Sequence, residues 1–277
     1  MAGKEAVGIV GIGRMGFSMA KHLLRHGYPV IACDLNPKQC DAARAAGVSI
    51  VAAPAELGKA TRFVIIGVGY DDEVLAVMDG DRGLLAALQP GSVVAISSTC
   101  APEFVKEMDQ RARAKGIDIF DAPICRGAKA ADDGTLLGLV GAKPEVFARG
   151  EPIYRTFCSD IAHLGPVGAG QVGKAMNNFL LWVNGIALIE AGRLCEANDM
   201  DLVKLREALL MSSGASDALK SWDNVTFTWA LKDMQIVMKM ADKAGLSLPI
   251  AGAIKELVKD GRRIKAASAP AWTGKRA

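Results

Sequence analysis

Two rhythms divide this chain of 277 residues. Up to about residue 163, short unbroken apolar runs alternate with segments whose apolar positions return every three or four residues. The runs, at 7–12, 29–33, 63–68, 93–97, 117–120, 136–140 and 161–164, read as strands covered on both faces, because a half-exposed strand would alternate instead. The patterns between them, at 38–46, 71–78, 102–115 and 145–156, read as helices. Pro102 at one helix start and Gly116 just past its end fit the usual asymmetry of helix termini. Such alternation predicts an α/β, doubly wound, mainly parallel sheet. After residue 170 no strand pattern returns, and helical patterns follow one another at 169–197, 202–211, 229–244 and 250–259. The expected organisation is therefore a sheet domain at 1–164 and a smaller all-α domain at 165–277, opening with a long linking helix. The tail from residue 266, with Ser268, Pro270, Gly274 and Lys275, is expected to be frayed.

Two glycine-rich turns interrupt these rhythms. The first, Gly11-Ile12-Gly13-Arg14-Met15-Gly16, joins a strand pattern to a helical one. In that context two glycines let the backbone approach a pyrophosphate, and the third packs helix on strand. The helix N-terminus then favours negative charge. Asp34 closes the next apolar run, at about the twenty-residue offset of a ribose-binding acid. The first domain thus reads as a Rossmann-type dinucleotide-binding domain. Ser98 and Thr99 follow a strand, at the edge where such sheets bind ligands, although capping of the helix at Pro102 would also employ them.

The second turn, from Gly165 to Gly170, delivers the chain into the most apolar helix, with Lys174 and Asn178 in its first turns. Residues four apart share a helix face, so both can address one substrate oxygen, with a proton and a hydrogen bond. Asn177 points about 100° away and is expected to be structural.

Composition narrows the picture little. The chain is 51% hydrophobic with a net charge of +3, enough apolar content for two domains or one large one and no concentrated basic face for nucleic acid. No secretory signal is visible, and the apolar stretch at 179–189 is too short to span a bilayer. Six cysteines without CxxC spacing point to a reduced, cytoplasmic protein. His22 and His26, four apart, lack a third ligand; they are expected to be solvated and no metal is expected.

Taken in order, Gly11–Gly16 with Met15, Ser98-Thr99 with Pro102, Asp121-Ala122-Pro123, Gly134-Thr135-Leu136, the stretch through Lys174 and Asn178, and Lys232-Asp233 resemble the β-hydroxyacid dehydrogenases. That family is typified by 3-hydroxyisobutyrate dehydrogenase and tartronate semialdehyde reductase and is 6-phosphogluconate dehydrogenase-like. The resemblance spans nearly the whole chain. It implies an NAD(P)-dependent oxidoreductase acting on a small β-hydroxyacid or its semialdehyde, with Lys174 as catalytic acid/base and Asn178 binding substrate. It implies cofactor contacts from Gly11, Gly13, Arg14, Met15, Gly16, Asp34, Val68, Gly69, Thr99 and Lys232. It also implies a homodimer or homotetramer in which the long helix is covered.

The chain departs from the family at two places. Val68-Gly69 stands where relatives carry Leu-Pro, and Cys125-Arg126-Gly127 where they carry Ser-Gly-Gly. The substrate is expected between that second segment and the Lys174/Asn178 helix, and Arg126, if inward, would clamp an anion. Asp34 without a nearby arginine favours NAD, with NADP left open by Lys38. The alternatives are an imine reductase, which generally lacks the lysine, and a non-catalytic dinucleotide sensor.

Overall fold

In the computed structural model, which describes residues 3–267 and 269–274, the apolar runs form one sheet. Its strands are β1 (Val7–Val10), β2 (Val30–Cys33), β3 (Ser49–Ile50), β4 (Phe63–Ile66), β5 (Val93–Ile96), β6 (Asp118–Asp121), β7 (Ile124–Cys125), β8 (Leu136–Gly141) and β9 (Cys158–Gly165). They lie in the order β3-β2-β1-β4-β5-β6-β8-β7, with β9 also paired to β8. The six strands from β1 to β6 are mutually parallel, and β8 runs antiparallel to β6 and β7. The order reverses between β1 and β4, which opens the crevice where doubly wound sheets take their ligands.

Every residue of β1, β4 and β5 is buried. Their alternate side chains feed two cores. Phe63 and Ile65 join Ile9, Leu23 and Phe120 on one face, while Val64 and Ile66 join Val94, Ile96 and Met108 on the other. Seven helices cover these faces: α1 (Arg14–Arg25), α2 (Pro37–Ala45), α3 (Pro54–Ala60), α4 (Asp71–Met78), α5 (Pro102–Arg113), α6 (Gly127–Asp133) and α7 (Pro144–Tyr154). Prolines open α2, α3, α5 and α7, where the missing N–H costs nothing. The two-residue strands β3 and β7 and the short helices α3 and α6 leave no periodic signal and were not anticipated.

Next come α8 (Ala169–Glu196), α9 (Leu202–Leu210), α10 (Asp217–Lys220), α11 (Ala230–Ala244) and α12 (Pro249–Ala266). The chain divides into two compact units, one ending at Lys174 and the other starting at Ala175. The second unit has its own core of Trp182, Trp222, Phe227, Met234 and Trp272. The expected fraying of the tail needs correction for its described part. Trp272 is fully buried and its Nε1 donates to Leu188 O at 3.0 Å, while Pro270 O accepts from Trp222 Nε1 at 3.0 Å. An indole this large holds the tail by area and hydrogen bond together. Ser268 and Lys275 lie outside the described residues.

One buried carboxylate fixes the start of α8. Asp121, last residue of β6, is fully buried, and its Oδ2 accepts the N–H groups of Gly168 at 2.9 Å and Gln171 at 3.2 Å. Those are donors that the first turn of a helix cannot satisfy internally. The approach needs a glycine: a Cβ on Gly170 would fall 2.6 Å from Leu139 O. The other oxygen, Oδ1, is buried with no hydrogen-bond partner. Burial pushes the Asp121 carboxyl up to about 7, against the lowering effect of the Gln171, Gly168 and Gly170 donors. The folded state therefore binds this proton more tightly than the unfolded chain. Its contribution should be greatest in acid and fall, by a few kcal/mol, between about pH 4 and pH 7. In Asp121→Asn the amide oxygen keeps both contacts without a charge, so this fall should vanish. Urea midpoints measured in pH steps for both proteins check it, and parallel pH profiles would refute the assignment.

Candidate active site

At the C-terminal ends of β1, β2, β4 and β5, the first glycine turn is built around close backbone contacts. Gly11 has a φ of +87°, and a Cβ there would sit 2.6 Å from Gly67 O. A Cβ on Gly16 would sit 2.0 Å from Gly11 O. Gly13 differs: a Cβ there would meet no protein atom within 4 Å. Gly13 is also the N-cap of α1 and supplies no side-chain acceptor. Open space at a helix N-terminus whose donors lack a capping side chain fits a pyrophosphate. Asp34 closes the turn, accepting Ile12 N–H at 2.8 Å on Oδ2 and Asn36 N–H at 2.7 Å on Oδ1. Carboxylate oxygens have more than one lone pair each, so it retains capacity for a ribose hydroxyl. These residues fit a dinucleotide.

The neighbouring strand ends are tied to one another. Val68 N–H donates to Ser98 Oγ at 2.9 Å, and Gly69 N–H donates to Glu73 Oε2 at 2.6 Å. Thr99 is half-buried between Ser98 and Cys100. Both of those neighbours are gripped by Gln171, whose Oε1 accepts from Cys100 N–H at 2.9 Å while Nε2 donates to Ser98 O at 3.0 Å. Nothing in the sequence singled out Gln171. A glutamine beside three glycines resembles any polar turn residue until the strand end it reaches is known.

Lys174 stands one turn further along α8. Its Nζ donates to Ile124 O at 2.7 Å and lies 3.7 Å from Cys125 Sγ, so α8 and the segment 124–127 do meet at this lysine. Cys125 is buried. Asn178 is buried on the same helix, and its Oδ1 accepts from Asn177 Nδ2 at 3.0 Å. Lys232, in α11, holds its Nζ 5.8 Å from the centre of the Trp229 ring. Both residues belong to the second unit.

Four side chains are engaged within the fold itself. Arg126, with a positive φ of 82°, does not stand free as an anion clamp. Its Nη1 reaches Asp160 at 2.6 Å, Ser159 Oγ at 2.9 Å and Thr135 O at 3.1 Å. The pairing holds the Asp160 carboxyl below its ordinary value, through the Arg126 hydrogen bond first and that of Ser159 second. Arg14 of the glycine turn likewise bonds Asp132 through both Nη atoms, and Asp132 also accepts from Ser18 Oγ at 2.7 Å. These two donors hold the Asp132 carboxyl well below the usual carboxylate range. His22 is buried rather than solvated, with Nε2 3.1 Å from Ala131 O and 3.0 Å from Asp132 O. Positions 14, 18 and 22 recur every four residues, so one face of α1 clasps the end of α6. Met15, also expected at the cofactor, packs partly buried against the first core.

Among the described residues, no group of three potential metal ligands is assembled, and no helix is long and apolar enough to cross a membrane. All six cysteines are free thiols.

Residues 6–165 match the family model for the NAD-binding domain of 6-phosphogluconate dehydrogenase. Residues 168–269 match the one for the NAD-binding domain of NADP-dependent 3-hydroxyisobutyrate dehydrogenase. Mouse mitochondrial 3-hydroxyisobutyrate dehydrogenase is 34% identical over 82% of this chain and 66% of its own length. The match thus spans slightly under two thirds of that relative. NAD-dependent L-serine dehydrogenase of Pseudomonas aeruginosa is 35% identical, over 79% of this chain and 74% of its own. The structure of Mycobacterium tuberculosis 3-hydroxyisobutyrate dehydrogenase with L-serine shares the fold, with a TM-score of 0.84 and 24% identity, over 96% of this chain and 94% of that one. With both domain models matched in order along a Rossmann-type sheet and a helical unit, the chain belongs to the β-hydroxyacid dehydrogenase family.

Proposed function

We propose that this chain is an NAD(P)-dependent oxidoreductase that interconverts a small β-hydroxyacid and its semialdehyde, with NAD preferred. The setting of Lys174 carries the reading. Its ammonium is drawn to Ile124 O at 2.7 Å, one turn beyond the glutamine that grips the strand end bearing Thr99. An ammonium has three donors, so the Ile124 carbonyl leaves N–H capacity for a substrate oxygen. The names of the relatives, a 3-hydroxyisobutyrate and an L-serine dehydrogenase, support a compact acid with its hydroxyl on the β-carbon.

In this reading the pyrophosphate rests on the N-terminus of α1, where Gly11, Gly13 and Gly16 allow its approach, and Asp34 accepts a ribose hydroxyl. Val68, Gly69 and Thr99 flank the nicotinamide end, and Lys232 is assigned there by the family resemblance. When bound, the nicotinamide supplies the hydride acceptor or donor. As the free amine, Lys174 takes the proton of the substrate hydroxyl during oxidation; the ammonium so formed returns it to the carbonyl oxygen during reduction. Asn178 hydrogen-bonds that oxygen from the next turn. Backbone N–H groups of the segment 125–127 receive the substrate carboxylate, since Nη1 of Arg126 is engaged by Asp160. Exposed Leu180 and Leu194 on α8 favour a homodimer or homotetramer of closed symmetry.

Three outcomes follow from this reading. The charge of Asp34 repels a 2′-phosphate, so kcat/KM should be higher with NAD than with NADP; the reverse ranking would remove the assignment of Asp34. Lys174→Ala should lose about 10²–10⁴-fold in kcat, the usual share of general acid–base catalysis, with dinucleotide affinity little changed. Steady-state rates at 340 nm with C3–C5 hydroxyacids measure this, and near-wild-type turnover would move the proton-transfer role elsewhere. Light scattering at micromolar concentration should give a particle heavier than the 29.1 kDa chain, and a monomer would contradict the assembly.

A further inference from the structure

We infer that Gln171 is a positioning residue that sets the strand end at Thr99 in register with the Lys174 ammonium. The inference rests on the acid–base role given to Lys174 above. Gln171 is only 1% exposed, yet a leucine would fill a similar volume without needing partners. A buried primary amide persists where both of its ends are used, and both are used here. The carbonyl end takes Cys100 N–H and the amino end gives to Ser98 O, so one side chain holds the backbone on either side of Thr99. Ser98 passes the constraint on through Val68 N–H, which binds the end of β4 to the same point. The Gln171 backbone N–H is itself held by the Asp121 carboxylate at 3.2 Å. Lys174 follows three residues later, on an adjacent turn of the same helix face, and ends on Ile124 O. A continuous chain of short bonds therefore runs from β4 and β5, through Gln171, to the proton-transfer group.

The chemistry explains why such a chain is useful. A hydride and a proton must leave or reach adjacent atoms of one substrate. The nicotinamide end is received by the strand ends, and the proton is handled by a helix side chain. Without a rigid tie between strand end and helix, either could be well placed while the other was not. Both partners of Gln171 are backbone groups, so the tie does not depend on the side chains at 98–100, proline at 100 excepted.

The test uses two variants beside wild type. Gln171→Met keeps the volume and removes both hydrogen bonds. Gln171→Glu keeps the acceptor for Cys100 N–H and regains the donor to Ser98 O only when its carboxyl is protonated. Gln171→Met should lose about 10²-fold in kcat, the cost of misplacing reacting groups by about 1 Å. Its dinucleotide Kd should be little changed, and the primary deuterium isotope effect on kcat should rise. In the dinucleotide-free protein, amide exchange at 98–101 should accelerate. For Gln171→Glu, the ratio of variant to wild-type kcat should climb as pH falls, because protonation of the introduced carboxyl restores the donor to Ser98 O. The Asp121 carboxyl, which accepts the backbone N–H of residue 171, is its acidic neighbour. The Gln171→Met ratio should stay flat. A flat ratio for Gln171→Glu, unchanged exchange at 98–101, or a kcat loss matched by loss of folded protein would overturn the inference. Absence of dehydrogenase activity in wild type would instead overturn the functional reading, leaving the exchange result to judge Gln171 on its own.

Discussion

The contact on which the first unit depends is that between the Asp121 carboxylate and the first turn of α8. A carboxylate without water is costly, and a helix N-terminus without partners for its N–H groups is also costly. Brought together, each offsets part of the other's cost; the helix end favours the anion, but burial outweighs it and leaves the Asp121 carboxyl raised to about 7. The geometry tolerates little change, because Gly170 leaves no room for a side chain. Since β6 is fixed in the sheet by β5, this single contact sets where α8 begins. The positions of Gln171 and Lys174 follow from it.

Much of the architecture was legible because it rests on periodicity. Strands covered on both faces lack alternation, and β1, β4 and β5 are of that kind. Helix ends carry local chemistry, as at Pro102 in α5, so α4 and α8 lie within a residue of their expected bounds. The elements that escaped are those too short to complete a period: β3, β7, α3 and α6. The segment 124–133 is the clearest case. Its structure comes from pairing with β8 and clasping by α1, and neither partner is local in sequence.

The candidate site divides the same way. The glycine turn was readable because close backbone approach demands glycine at particular spacings, whereas the bond from Ile12 N–H to Asp34 was not foreseen. The partners of Arg14, Arg126 and His22 could not be read because a long polar side chain carries no sign of its destination. Each found a partner far along the chain, in Asp132, Asp160 and the end of α6. Gln171 escaped for the same reason in reverse: its partners are backbone groups, which carry no residue code at all.

The three glycines of the first turn answer to different demands. Gly11 and Gly16 are required by the fold, since a side chain at either collides with backbone within 2.6 Å. Gly13 is not: its φ of −64° and ψ of −161° are open to other residues, and a side chain there would point into empty space. A selection for folding alone would therefore let position 13 drift while purging changes at 11 and 16. A ligand resting against that backbone would place on position 13 a demand that folding does not make.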